Sequence, residues 1–138
     1  MIIADTGFWL ALINPHDDFH HAAKNALKKT SEPLITTTPV LTEALHLIVN
    51  RVGWPAALKF VESLDRGISQ LFEIVPDHFN RVATLMKKYR DLPMDFADAS
   101  LVILAEDLGT GRIFTTDFRD FRAYRWKDRK PFTNVLTN

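Results

Sequence analysis

Short apolar runs alternate along this chain with stretches long enough to form helices, and that alternation limits the fold more than any single motif. Met1–Ala4, Pro33–Thr36, Leu71–Val75, Arg112–Thr115 and Phe132–Leu136 read as strands. Between them, Thr6–Ile13, Asp17 or Asp18 to about Lys29, Thr38 to about Arg51, a stretch opened by Gly53, Trp54 and Pro55 and running to about Arg66, Pro76 to about Tyr89 and Asp95–Leu108 read as helices. Thr38 and Pro39 supply an N-cap and a first-turn proline for the third helix. Gly109 stops the helix that begins near Asp95. Strands that alternate with helices form a parallel sheet covered by helices, so a three-layer α/β/α architecture with a central parallel sheet is expected. The 138 residues, 46% of them hydrophobic, suffice for one domain over 1–138 with a real core.

In sheets of this kind ligands bind beyond the carboxyl ends of the strands. Asp5 and Asp117 each follow a strand and fall in that zone. Taken alone, each reads more readily as a turn or cap aspartate than as a catalytic one. Glu43 lies in a helix whose Val40, Leu41, Ala44, Leu45, Leu47 and Ile48 leave little polar face. Its carboxylate is costly there unless it reaches solvent, pairs with Arg51 or meets a cation. Asp95 and Asp98 sit three residues from each other in the first turn of one helix, so they share a face, and the helix dipole offsets some of their repulsion. Asp95 suits an N-cap. Asp98 precedes the apolar run Ala99–Ala105 and is the better ligand candidate. The chain has no cysteine, so any metal would be held by oxygen or histidine nitrogen.

The formal charge is zero but unevenly spread. Residues 119–130 carry six Lys or Arg against Asp120 and Asp128, which leaves an acidic body beside a basic patch. This pairing suits a polyanion drawn in by the rim and cut in the pocket. In the patch, Arg119, Arg122, Arg125 and Lys127 are candidate RNA contacts; Phe118, Phe121, Tyr124 and Trp126 could stack on bases, but most of them are expected to pack inward. His16, Asp17, Asp18, His20 and His21 have metal-ligand residue types, yet no third ligand stands at a recognisable spacing, and a solvated helix start explains them better. Leu10, Leu12, Ile13, Leu45, Ile48, Val49, Trp54 and Leu58 offer apolar surface to the core, to a homodimer or to a partner segment. The N-terminus lacks a basic leader region, and Asp5 and Pro15 interrupt its apolar stretch. It reads as neither a secretory signal nor a membrane span, and a cytoplasmic protein is expected.

Four segments in order, IIADTGFWLALIN, TTPVLTEALHLI, MDFADASLVILAEDLG and IFTTDFRDF, resemble PIN-domain ribonucleases over essentially the full length. The resemblance is strongest to the VapC type of toxin from type II toxin–antitoxin pairs. It implies an endoribonuclease dependent on Mg²⁺ or Mn²⁺, with Asp5, Glu43, Asp98 and Asp117 as catalytic metal-binding acids. Asp95 is a further acid that many relatives carry. Thr6 and Thr115 or Thr116 become candidates for orienting water or a carboxylate, although Thr6 also suits a helix cap. A cognate antitoxin and a homodimer are the implied partners. Alternatives are a PIN-domain RNA-processing nuclease without an antitoxin, and a non-catalytic RNA- or protein-binding module. A phosphatase of the haloacid-dehalogenase sort would need a second aspartate at position 7, where this chain has Gly7.

Overall fold

A computed structural model describes residues 1–136; Thr137 and Asn138, the end of the expected domain, lie outside the described residues. The elements are β1 (Ile2–Ala4), α1 (Thr6–Ile13), α2 (His20–Lys29), β2 (Leu34–Thr37), α3 (Thr38–Arg51), α4 (Trp54–Asp65) and β3 (Gln70–Phe72). A 3₁₀ turn (Pro76–His78) then leads into α5 (Phe79–Lys88). There follow α6 (Phe96–Leu108), β4 (Arg112–Phe114), α7 (Phe118–Ala123), β5 (Arg125–Trp126), β6 (Lys130–Pro131) and β7 (Thr133–Asn134).

Five strands form one parallel sheet in the order β3-β2-β1-β4-β7, flanked by helices. Ile3 lies level with Ile35 of β2 and Ile113 of β4, so all three strands end at the same edge. The chain leaves β1 toward β2 and β3 on one side, then returns to place β4 on the other. The boundary between β1 and β4 is therefore the point where the strand order reverses, the place at which sheets of this kind bind ligands.

Burial explains which helices lie inside. Phe8, Trp9, Leu10 and Ala11 of α1 are buried, as is every residue of α6 from Ala99 to Ala105. A helix that is apolar all round belongs in the core. α2 and α5 each bury only one face and cover the outside.

The observed boundaries differ from the expected ones in instructive ways. The cap of α3 is Thr37, whose hydroxyl accepts from the Val40 N–H; Thr38 is already helical. Asp17 closes a turn by accepting from the Phe19 N–H, so α2 begins only at His20. β3 is an edge strand and ends at Phe72, where pairing with Thr37 stops. The expected final strand shrinks to Thr133–Asn134. An antiparallel hairpin of β5 and β6 comes in addition to the expected strands; Lys127 and Asp128 make its turn with positive φ.

Candidate active site

Asp5 is the first residue beyond β1 and the N-cap of α1. One carboxylate oxygen accepts from the Thr6 N–H at 2.6 Å, and the other accepts from the Thr115 hydroxyl at 2.7 Å. The same Thr115 oxygen accepts from the Asp117 N–H at 2.9 Å, so one hydroxyl, 110 residues along the chain from Asp5, ties the two acids together. Asn134 of β7 holds Thr115 in turn: its side-chain amide donates to the Thr115 carbonyl at 3.0 Å. Asp117 caps α7 by accepting from the Asp120 N–H at 3.0 Å. Thr116 packs on Gly7 so closely that a Cβ at position 7 would lie 2.1 Å from its hydroxyl oxygen.

The second pair arrives on α6. Asp95 is its N-cap, accepting from the Asp98 N–H at 2.8 Å, in keeping with its place in the sequence. Buried Ser100 anchors the helix to the sheet edge: its hydroxyl is 2.7 Å from that of Thr37 and 2.6 Å from the Ala97 carbonyl. Asp98 accepts from the Tyr124 hydroxyl at 3.0 Å. Tyr124 is wholly buried, and its ring meets Tyr89 and Phe121 edge to face. Glu43 comes from α3, half-buried beside Thr6 and Asp95.

These acids act on one another. Burial pushes the Asp5 carboxyl up to about 7, with the charges of Asp117 and Glu43 adding to the rise and the Thr115 and Thr6 hydrogen bonds opposing it. Asp98 is pushed up to about 8 by burial, then by Asp95 and Asp5, against the Tyr124 hydrogen bond. Burial likewise raises Glu43 and Asp117. The four expected acids thus belong to one electrostatic cluster at the carboxyl edge of the sheet, together with Asp95.

Such a cluster takes up either protons or a cation. Among the described residues no three His, Asp or Glu side chains close into a ready ligating shell. Mg²⁺ does not require one, because it is commonly held by one or two carboxylates with waters and substrate phosphate completing the octahedron. The donors are all oxygen, which suits Mg²⁺ and Mn²⁺. The buried Thr6 hydroxyl, next to Asp5 and close to Glu43, is a further oxygen at the site. The residues present fit a small divalent cation.

A family model of the PIN domain matches residues 2–127. The chain is a PIN-domain protein. Among curated relatives of this PIN domain, Ribonuclease VapC26 of Mycobacterium tuberculosis is 30% identical over 124 residues, spanning 90% of this chain and 92% of its own. A solved structure, M. tuberculosis VapC20, a sarcin–ricin loop cleaving toxin, matches with a TM-score of 0.78 at 23% identity. That match covers 87% of this chain and 94% of VapC20, and it bears out the three-layer PIN fold with its central parallel sheet.

Outside the acids, the expected residues divide. Arg119 and Arg122 are exposed on α7, and Lys127 is exposed at the hairpin turn. The Arg125 guanidinium instead donates to the carbonyls of Arg122, Ala123 and Tyr124, so it caps α7 rather than facing solvent freely. Phe121, Tyr124 and Trp126 pack inward. His20 donates to the Ala11 carbonyl at 2.8 Å and has a structural role. Tyr124 and Asn134 are site residues that sequence reasoning misses. For Tyr124 the expected inward packing holds, but nothing in the sequence pairs its hydroxyl with Asp98.

Proposed function

We propose that this PIN-domain protein is a Mg²⁺- or Mn²⁺-dependent endoribonuclease and the toxin half of a type II toxin–antitoxin pair. The observation that carries the reading is the meeting of Asp5, Glu43, Asp98 and Asp117, all with raised proton affinity, where the strand order reverses. The names of its relatives, a ribonuclease and an RNA-cleaving toxin, point the same way. Residues 1–138 act as one catalytic domain. The protein works in the cytoplasm, and no helix among the described residues is long and apolar enough to cross a membrane. RNA is the substrate, a cognate antitoxin the partner, and a homodimer the working assembly.

Asp5 and Asp98 would hold the cation, with Asp117 and Glu43 flanking it directly or through water. Asp95 is chiefly a cap that adds negative charge. When bound, the cation neutralises charge building on the phosphodiester oxygens and makes a nearby water more acidic. The chain's own residues orient and desolvate. Thr115 fixes the Asp5 carboxylate, Tyr124 fixes Asp98, and Glu43 is positioned to orient a water by accepting its hydrogen bond. Arg119, Arg122 and Lys127 contribute phosphate contacts at the rim.

Sequencing RNA ends after incubation with the purified protein, with and without Mg²⁺, tests the activity and reads the cut site. Asp5→Asn and Asp98→Asn should each lower cleavage by more than about a hundredfold, since even outer-shell changes cost 10–100-fold. Both should keep the wild-type circular dichroism spectrum. Wild-type cleavage rates in either clean variant would refute the assignment.

A further inference from the structure

An open groove of about 770 Å³ runs from the acid cluster along α3 and past Ile74 and the starts of α5 and α6. Glu43 and Asp95 line it, which makes it continuous with the proposed metal site. Phe79 and Phe96 also line it, 54% and 42% exposed, with ring centroids 6.4 Å apart and edge to face. His46 lies one turn beyond Glu43 on the same side. Among the described residues no lysine or arginine lines the groove.

We infer that this groove receives an unpaired nucleobase of the RNA next to the scissile phosphate, stacked on the exposed face of Phe79 or Phe96. The inference rests on the endoribonuclease reading and names the residues that would hold a base beside the cut. Among the described residues no lysine or arginine is there to hold a phosphate backbone along the groove's length. A base is neutral, flat and polarisable, and it stacks on any aromatic face whatever its identity. The volume falls within the range of small-ligand sites and exceeds what one base needs. Continuity with the acids sets the occupant, because a strand whose phosphate sits at Asp5 and Asp98 carries its neighbouring base into the adjoining space. A base enters such a groove only when unpaired, so a duplex serves as the control.

Asp5→Asn protein, which should not cleave, is titrated with single-stranded RNA carrying 2-aminopurine at successive positions, and with the same sequence as a duplex. Stacking should quench the probe at one or two positions only. Phe79→Ala combined with Phe96→Ala should abolish that quenching and weaken single-strand binding about tenfold. Phe79→Trp with Phe96→Trp should keep both, whereas the paired leucine substitutions should not. Undiminished binding in the double alanine variant, rescue by leucine as good as by tryptophan, or equal loss for duplex would overturn the inference. Intact RNA binding with loss of a co-expressed antitoxin would overturn it too, and would mark the groove as a protein-docking surface. The two readings fail separately. A wild-type protein that cleaves nothing but still quenches the probe keeps the base site and loses the nuclease; cleavage without aromatic-dependent quenching does the reverse.

Discussion

Two hydroxyls, on Thr115 and Tyr124, hold the two carboxylates that burial most disfavours as anions. Each donates to one oxygen and so fixes which way the carboxylate faces. Tyr124→Phe keeps the ring and its packing against Tyr89 and Phe121 while deleting this donor. It should lower Mn²⁺ affinity by about 10–100-fold, as losses of outer-shell partners do. Calorimetry with Mn²⁺ measures this without any turnover, and an unchanged affinity would deny Tyr124 its orienting role. At this scale the sequence is informative about acids and poor about their supports. Acids after strands can be read from local pattern. Tyr124 is 26 residues from Asp98, and Asn134 is 19 from Thr115; both pairs meet only because β4, β7 and α7 fold back on the sheet edge.

The β5–β6 hairpin follows directly on Tyr124, and its Arg125 N–H donates to the Tyr89 hydroxyl at 2.9 Å. Arg81 of α5 makes a bidentate contact with Glu106 of α6 at 2.7 and 3.1 Å and also reaches Asp128 in the turn. Glu106 further accepts from the Lys127 N–H at 2.6 Å. Both side chains of the central pair are largely covered, so solvent screens it less than a surface pair. Glu106→Ala leaves Arg81 without its main partner and frees the turn. The expected cost is about 1–3 kcal/mol in denaturant unfolding, with faster hydrogen exchange confined to residues 125–131. Loss of stability without that local exchange would show that the pair stabilises the helices alone. Nothing in the local residue pattern announces this hairpin, whose strands are two residues each and too basic for an apolar alternation. The longer elements are legible because α3 and α6 carry their own start and stop residues. The cap of α3 lies one residue earlier than expected because Thr36, Thr37 and Thr38 are alike in chemistry, and only the fold shows that Thr37 faces the Val40 N–H.

Across the whole molecule, the acid cluster sets how stability depends on pH. Asp5 titrates at about 7 in the folded protein and near 3.9 when unfolded. Between those values the native state holds a proton that the unfolded chain has lost, so stability falls as pH rises. Asp98, at about 8, extends the fall upward. Without divalent metal, the Tm at pH 8 should be lower than at pH 5 by roughly 5 °C or more. Mg²⁺ or Mn²⁺ should recover most of it by taking the protons' place. Asp5→Asn should flatten the pH slope, and scanning calorimetry across pH with and without chelator checks all three. The layered class follows from the strand–helix alternation. The strand order does not, since the return of β4 to the far side of β1 is decided by packing between distant segments.

The close fit of Gly7 against Thr116 bears on heredity as well as on structure. Position 7 presents only a hydrogen atom to the Thr116 hydroxyl, on the loop that carries Asp117. A one-base change in that codon to alanine would add a methyl group and force the Thr116 side chain to turn aside, next to Asp117. Such a change would reach the acid cluster while leaving every acidic residue unmutated.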